Sequence, residues 1–379
     1  PWPRTLQSCV QPSAEHKEEK PMEKMMKAAR MHRIGEFSVE EVPVPVPHGE
    51  ELLVRIGACG VCGSDLPRIY TTGTSKQKYP LTLGHEFSGT VVAVGEQADP
   101  ALIGKRGTFF PLIPCRKCDP CLTGNYAMCE DYDYLGSRRD GGFADYCLIP
   151  SAWHMVISNN PETSFEELAM AEPACVAQHA MLRRSNLYAG ANVLVFGAGP
   201  IGIMAARWAQ IAGAGHILMV DVLDEKVAFA EAHGFAAVNS RSGDLEQAVR
   251  AAFDGKLADV AFEGTGFGSA LNNAIDCVRP FATVVMVGNP AGDTTIGKAQ
   301  HSKILRKELT INGIWNSHFS NLPINEWRYT VDMLDKGIFR CADLISHTTD
   351  LDGLPGLIDD VKNRRVNACK VLYVDPENK

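Results

Sequence analysis

Four of the chain's 12 cysteines fall within one short stretch. Cys115, Cys118, Cys121 and Cys129 are spaced C-x2-C-x2-C-x7-C. Four thiolates so close in sequence can close a tetrahedron around zinc with no open position, which makes such a site structural. It would tie down a long loop that has little core of its own. An iron–sulfur cluster or unliganded thiols are the competing readings, and the all-thiolate tetrahedron favours zinc. A second set is looser. Cys62-Gly-Ser64-Asp65 is followed by Gly84-His85-Glu86 and later by Ala171-Glu172-Pro173. A cysteine, a histidine and a carboxylate can supply three ligands and leave a fourth position for water or substrate, the arrangement of catalytic zinc. Taken singly, Cys62 reads as a core thiol, His85 as a structural histidine and Glu172 as a helix-terminus acid. Beside a cofactor motif, the combination points to a metal centre instead.

That motif is Gly197-Ala198-Gly199-Pro200-Ile201-Gly202, which follows an apolar run and opens an Ala-rich helical pattern. Gly197 permits a tight turn, Gly199 lets the backbone approach a pyrophosphate, and Gly202 lets helix and strand pack closely. The N–H groups of the helix start would face the anion. Asp221, 19 residues after Gly202, ends the next apolar run and can accept hydrogen bonds from ribose hydroxyls. A 2′-phosphate would meet that negative charge, and no arginine follows within Val222-Leu223-Asp224, so NAD is favoured over NADP. The competing reading is a glycine-rich turn in an α/β protein without cofactor.

The elements that must position these residues form two rhythms. Up to about residue 150 the pattern is short strands, turns and long loops, a small β-barrel-like domain. From about Ala177 short apolar strands alternate with helices, which means a doubly wound parallel sheet. The stretch Val193–Val220 carries one formal charge, Arg207, but its glycines and Pro200 break it into strand, turn, helix and strand rather than a membrane helix. After Trp315 the pattern is mixed and is assigned back to the first domain. The expected boundaries are a disordered tail or added leader over 1–26, a zinc catalytic domain over 27–176 and 317–379, and an NAD-binding domain over 177–316. Met22, Met25 and Met26 are candidate natural starts. At 379 residues, two domains are expected at ~100–200 residues each. A 45% hydrophobic content excludes wholesale disorder, and a net charge of −8 argues against a broad nucleic-acid surface. The first 25 residues hold no apolar segment of signal-peptide length, and clustered cysteines suit a reducing compartment, so cytoplasm is expected.

With CGSD at 62–65, GHEFSG at 84–89, the four-cysteine loop, GAGPIG at 197–202 and Asp221, the sequence resembles the zinc-containing medium-chain dehydrogenases over nearly all of Lys27 to Val374. CGSDLPRIY (62–70), YPLTLGHEFSG (79–89), YDYLGSRRDGGFADY (132–146) and KILRKELTINGIW (303–315) are most similar to its polyol dehydrogenase branch, above all to galactitol-1-phosphate 5-dehydrogenases. The resemblance implies a Rossmann domain plus a GroES-like barrel, two zinc ions per chain and a homodimer or homotetramer joined through the Rossmann sheets. It implies that Cys62 and His85 hold catalytic zinc, with Glu86 a ligand or exchangeable neighbour and Glu172 where this branch puts a carboxylate. Cys175 is the rival ligand. Asp65 would orient the His85 imidazole, and Ser64 would relay the alcohol proton.

Hydride transfer from a secondary alcohol to NAD is the implied reaction. Arg68, Arg138 and Arg139 are candidate partners for a substrate phosphate, since guanidinium pairs bidentately with phosphate. Ordinary surface charge, or pairing with Asp131, Asp133 or Asp140, is the alternative. Sorbitol dehydrogenases carry an aromatic at the position of Arg68 and an arginine at that of Asn316. A polyol phosphate is therefore expected over sorbitol, another polyol or L-threonine. A zinc scaffold that kept the fold is the reading outside catalysis.

Overall fold

The computed structural model describes residues 24–290, 292–320 and 325–378. The expected tail lies mostly outside the described residues, but its last residues do not: Met25 and Met26 open strand β1. β1 (Met25–Arg33) pairs antiparallel with β2 (Glu36–Pro43), which is followed by the proline-rich turn. β3 (Leu52–Gly60), β4 (Leu81–Thr82), β5 (Glu86–Val94), β6 (Arg106–Phe109), β7 (Leu112–Ile113), β8 (Asp133–Tyr134), β9 (Tyr146–Ile149) and β10 (Met155–Ile157) complete the N-terminal strands. β11 (Asn192–Phe196), β12 (His216–Asp221), β13 (Ala236–Asn239), β14 (Ala258–Glu263), β15 (Val278–Met286) and β16 (Thr310–Gly313) alternate with helices. β17 (Ile345–Thr349) and β18 (Lys370–Val374) close the chain.

The strands sort into two lobes. β13-β12-β11-β14-β15-β16 form one sheet in that order, all parallel, as the helix–strand alternation demands. β11 is buried along its whole length, the mark of a central parallel strand covered on both faces. Val193 and Val195 face a core shared with Ile203, Trp208 and Trp327; Leu194 and Phe196 face an opposite core with Val249 and Phe253. The former membrane-like stretch is thus β11, the Pro200–Ile211 helix and β12.

The other lobe is built on the seven-stranded sheet β10-β6-β5-β3-β18-β17, with β9 also on β3. β18 lies antiparallel to β3, so the chain's C-terminal end returns to the N-terminal barrel. Its core includes Met31, Leu52, Val54, Phe87 and Phe109. The Phe165–Ala169 helix starts at Ser164, whose hydroxyl accepts the Glu167 N–H. The next helix, Ala171–Gln178, packs on Pro200–Ile211, and Trp208 Nε1 donates to the Ala174 carbonyl at 2.9 Å. The fold is a Rossmann sheet joined to a GroES-like barrel.

Candidate active site

Antiparallel pairing brings the second set of donors together. Gly60 at the end of β3 sits opposite Glu86 at the start of β5. The two residues that follow Gly60 end on Cys62, and the residue before Glu86 is His85, so both flank the same strand junction. Gly84 makes this possible: its φ is +90°, and a Cβ there would fall 2.7 Å from the Cys59 sulfur. The donor atoms of Cys62, His85 and Glu86 lie within 4.8 Å of one another, with His85 and Glu86 buried.

Glu172 approaches from the first turn of the Ala171–Gln178 helix and stands outside that compact trio. It is 6% exposed, and its Oε1 accepts a hydrogen bond from the Tyr134 hydroxyl at 3.3 Å. Tyr134 lies edge-on to the His85 ring, with centroids 5.7 Å apart. Cys175 is fully buried in the apolar core between the lobes. Asp65 accepts the Cys62 N–H at 3.0 Å and the Arg68 guanidinium at 2.7 Å. Its Oδ1 is 3.8 Å from His85 Nδ1, within ion-pair range but beyond hydrogen-bond length, and Nδ1 is buried without a hydrogen-bond partner. Ser64 precedes a short helical turn, and its side chain makes no capping bond.

The electrostatics suit a cation. Burial opposes the charged form of His85, but the Cys62 sulfur and the acids Asp65 and Glu172 outweigh it and raise its pKa to about 10. Burial pushes Glu172 up to about 7, helped by Glu86 and opposed by His85. A thiol, an imidazole and two carboxylates thus share a site that holds negative charge at a cost. A divalent ion relieves that cost, and the sulfur–nitrogen–oxygen set is a zinc set.

Lys370 opens β18 and is buried against Glu86, to which its Nζ is hydrogen-bonded. Burial works against its charge, yet Glu86 keeps it protonated. No motif marks Lys370, which lies 284 residues from its partner; only the pairing of β18 with β3 reveals it.

The four-cysteine loop forms a second cluster. Its sulfurs lie within 4.8 Å of one another, and those of Cys118 and Cys129 are 3.9 Å apart. A tetrahedron of ~2.3 Å zinc–sulfur bonds has edges of about 3.8 Å. A backbone N–H lowers the Cys115 thiol to about 6, whereas burial lifts Cys121 to about 12, so these two do not ionise together without a cation. The described cysteines are all free.

The Gly197 turn follows β11, with Gly197 at φ +96°. A Cβ on Gly202 would strike the Gly197 carbonyl at 1.9 Å, while one on Gly199 meets nothing, so the backbone there is open to a ligand. Pro200 and Ile201 begin the helix behind it. Asp221 accepts from the N–H groups of Ala198, Val222 and Leu223 at 2.7–3.1 Å, which fixes its carboxylate. It lines a cavity of about 360 Å³ with Leu223, Ser240, Arg241 and Phe267. Arg241 lies too far along the chain from Asp221 for spacing to link them; the loop after β13 brings it to the same cavity.

The three arginines have separate fates. Arg68 is bonded to Asp65 beside the donor trio. Arg138 lies 3.8 Å over the Tyr132 ring and donates to the Tyr132 carbonyl. Arg139 pairs with Asp133 at 3.2 Å and lines a cavity with Arg30, Lys78 and Asp140 that none of the metal-donor residues borders.

The alcohol dehydrogenase GroES-like domain matches residues 48–159, and the zinc-binding dehydrogenase domain matches 200–336. The chain belongs to the zinc-type alcohol dehydrogenases. It is an oxidoreductase acting on CH–OH groups. Galactitol 1-phosphate 5-dehydrogenase of Escherichia coli K12 is 34% identical over 345 residues, 90% of this chain and 97% of the relative. Sorbitol dehydrogenase of Bacillus subtilis 168 is 34% identical over 70% of this chain and 76% of that one. The crystal structure of the E. coli galactitol-1-phosphate dehydrogenase superposes with a TM-score of 0.84 at 33% identity, covering 92% of this chain and all of the other. Among the described residues, no helix is long and apolar enough to cross a membrane.

Proposed function

We propose that this enzyme oxidises a secondary alcohol of a polyol phosphate with NAD, a reaction of the galactitol 1-phosphate to tagatose 6-phosphate type. The observation that carries the dehydrogenase reading is one contact: Asn316, just past β16 on the cofactor lobe, donates to Tyr134, whose ring lies against His85. It supports a donor trio that works beside the carboxyl edge of the parallel sheet, where such sheets bind ligands.

Cys62, His85 and Glu172 would hold the catalytic zinc, with Glu86 as an exchangeable neighbour, and Cys115, Cys118, Cys121 and Cys129 the structural one. Bound there, zinc supplies a Lewis acid for the substrate hydroxyl and NAD a hydride acceptor. The chain's own groups do the rest. The Ser64 hydroxyl, without a hydrogen-bond partner among the described residues, takes the alcohol proton towards solvent. The open backbone at Gly199 and the helix start at Pro200 receive the pyrophosphate. Asp221 receives the adenosine ribose. Arg68 keeps guanidinium N–H groups beyond the one bonded to Asp65, and it supports the phosphate better than Arg138 or Arg139, whose partners hold them elsewhere.

The test is a kinetic comparison of galactitol 1-phosphate, galactitol, sorbitol and L-threonine with NAD, with zinc measured on the same sample. Galactitol 1-phosphate is expected to be preferred. Equal turnover with galactitol removes the phosphate, and a preference for sorbitol or L-threonine moves the chain to those branches. Two zinc ions without turnover of any alcohol would favour a scaffold.

A further inference from the structure

We propose that Tyr134 and Asn316 form a clasp across the cleft that fixes the orientation of Glu172, making both of them positioning residues. The inference rests on the dehydrogenase reading above.

The hydrogen bonds run in one direction. Asn316 Oδ1 accepts the Ser317 N–H at 2.7 Å, so the other end of the amide is the donor. Asn316 Nδ2 donates to the Tyr134 oxygen at 3.2 Å. That oxygen then has one proton to give, and Glu172 Oε1 takes it at 3.3 Å. The chain thus runs from backbone to amide to phenol to carboxylate. It leaves Glu172 Oε2 as the oxygen free to face the donor trio.

The clasp spans the two lobes. Asn316 is anchored to the parallel sheet: Gly313 is in register with Met286, and the Ile314 N–H bonds to the Met286 carbonyl at 2.9 Å. Asn316 also adopts φ +61°, a left-handed conformation that asparagine tolerates better than most residues. Tyr134 ends β8, on the other lobe, which pairs with β7. Orientation of the carboxylate is therefore tied to a bond between the lobes, which a side chain in one lobe alone does not supply.

The experiment uses the full-length, zinc-loaded chain and the variants Tyr134→Phe, Asn316→Ala, Asn316→Asp and the double Tyr134→Phe/Asn316→Ala. One readout needs no substrate: the rate at which a chelator strips the open-site zinc. The four-thiolate zinc serves as an internal control for folding. Partners that orient a ligand typically contribute ~10–100-fold to metal affinity. Tyr134→Phe and Asn316→Ala should each release the open-site zinc about tenfold faster and leave the four-thiolate zinc unchanged. Both should lower kcat with little change in KM for NAD, and the double variant should be no worse than the worse single. Asn316→Asp is nearly isosteric but accepts where asparagine donates. It takes the phenolic proton from Glu172 and should be at least as damaging as alanine. Unchanged zinc release in both singles, multiplying effects in the double, or an aspartate variant that behaves as wild type would overturn the clasp. If the wild type turns over no alcohol, the dehydrogenase reading fails, while zinc release still decides the clasp.

Discussion

At the scale of single residues, the centre is held by charges that water does not reach. Glu86 and Lys370 are 2% and 4% exposed and bonded to each other. Removing one partner of a buried pair leaves the other uncompensated, at a cost of about 3–5 kcal/mol. Lys370→Met should therefore lower unfolding stability by that order, and adding Glu86→Gln should recover most of it; urea titration of the three proteins measures both. His154 makes a different prediction. Its ring is buried with Nδ1 on the Phe110 carbonyl at 2.9 Å, and burial lowers its pKa from 6.5 to about 4. Between those values the unfolded chain takes a proton that the folded one refuses. Stability should thus fall as pH drops from about 6.5 to about 4, by about 3 kcal/mol in all. His154→Gln should flatten that slope in denaturant titrations. Cys62, His85 and Glu172 were legible because ligand chemistry restricts residue type. Lys370, Tyr134 and Asp65's engagement with Arg68 were not, because a counter-ion or hydrogen-bond donor comes in many types and any register can bring it near.

At the scale of elements, the four-cysteine loop is expected to depend on a bound ion. Cys121 and Cys129 are buried, but Leu122 is 72% and Met128 49% exposed. Cys129→Ser should lose one zinc per chain and open the 115–129 segment to proteolysis, while the rest of the fold stays intact; metal analysis and limited digestion read the two effects. Strand and helix positions around the Gly197 turn were readable because β11 is apolar on both faces and Gly197, Gly199 and Pro200 punctuate it. The beginning of β1 was not. Lys24 to Met26 read as the end of a tail of mixed charge, and only pairing of Met25 with Pro43 and Met26 with Val42 makes Met25 and Met26 a strand. Asp221 shows the same limit: the residues next to it in sequence were visible, but Arg241 comes to line the same cavity only through the fold after β13.

At the scale of the molecule, β16 leaves one side of the six-stranded sheet unpaired among the described residues. Phe281 is 69% exposed on the neighbouring strand, and Leu305 65% on the helix before β16. An open edge flanked by apolar side chains invites a second copy. Sedimentation velocity should give a mass of two or four 41.2 kDa chains, and a monomer at micromolar concentration would exclude pairing through this edge. β17 and β18 lie in the barrel sheet, where β18 pairs with β3. Which residue they deliver there was beyond pattern, since strand order is set by pairing among distant segments.

That return has a temporal side. A ribosome makes the N-terminal lobe first. Cys62, His85 and Glu86 are all synthesised before the parallel sheet, whereas Lys370 comes 284 residues after Glu86. An N-terminal lobe that folds before β18 joins it would bury Glu86 without the ammonium group that faces it in the finished fold.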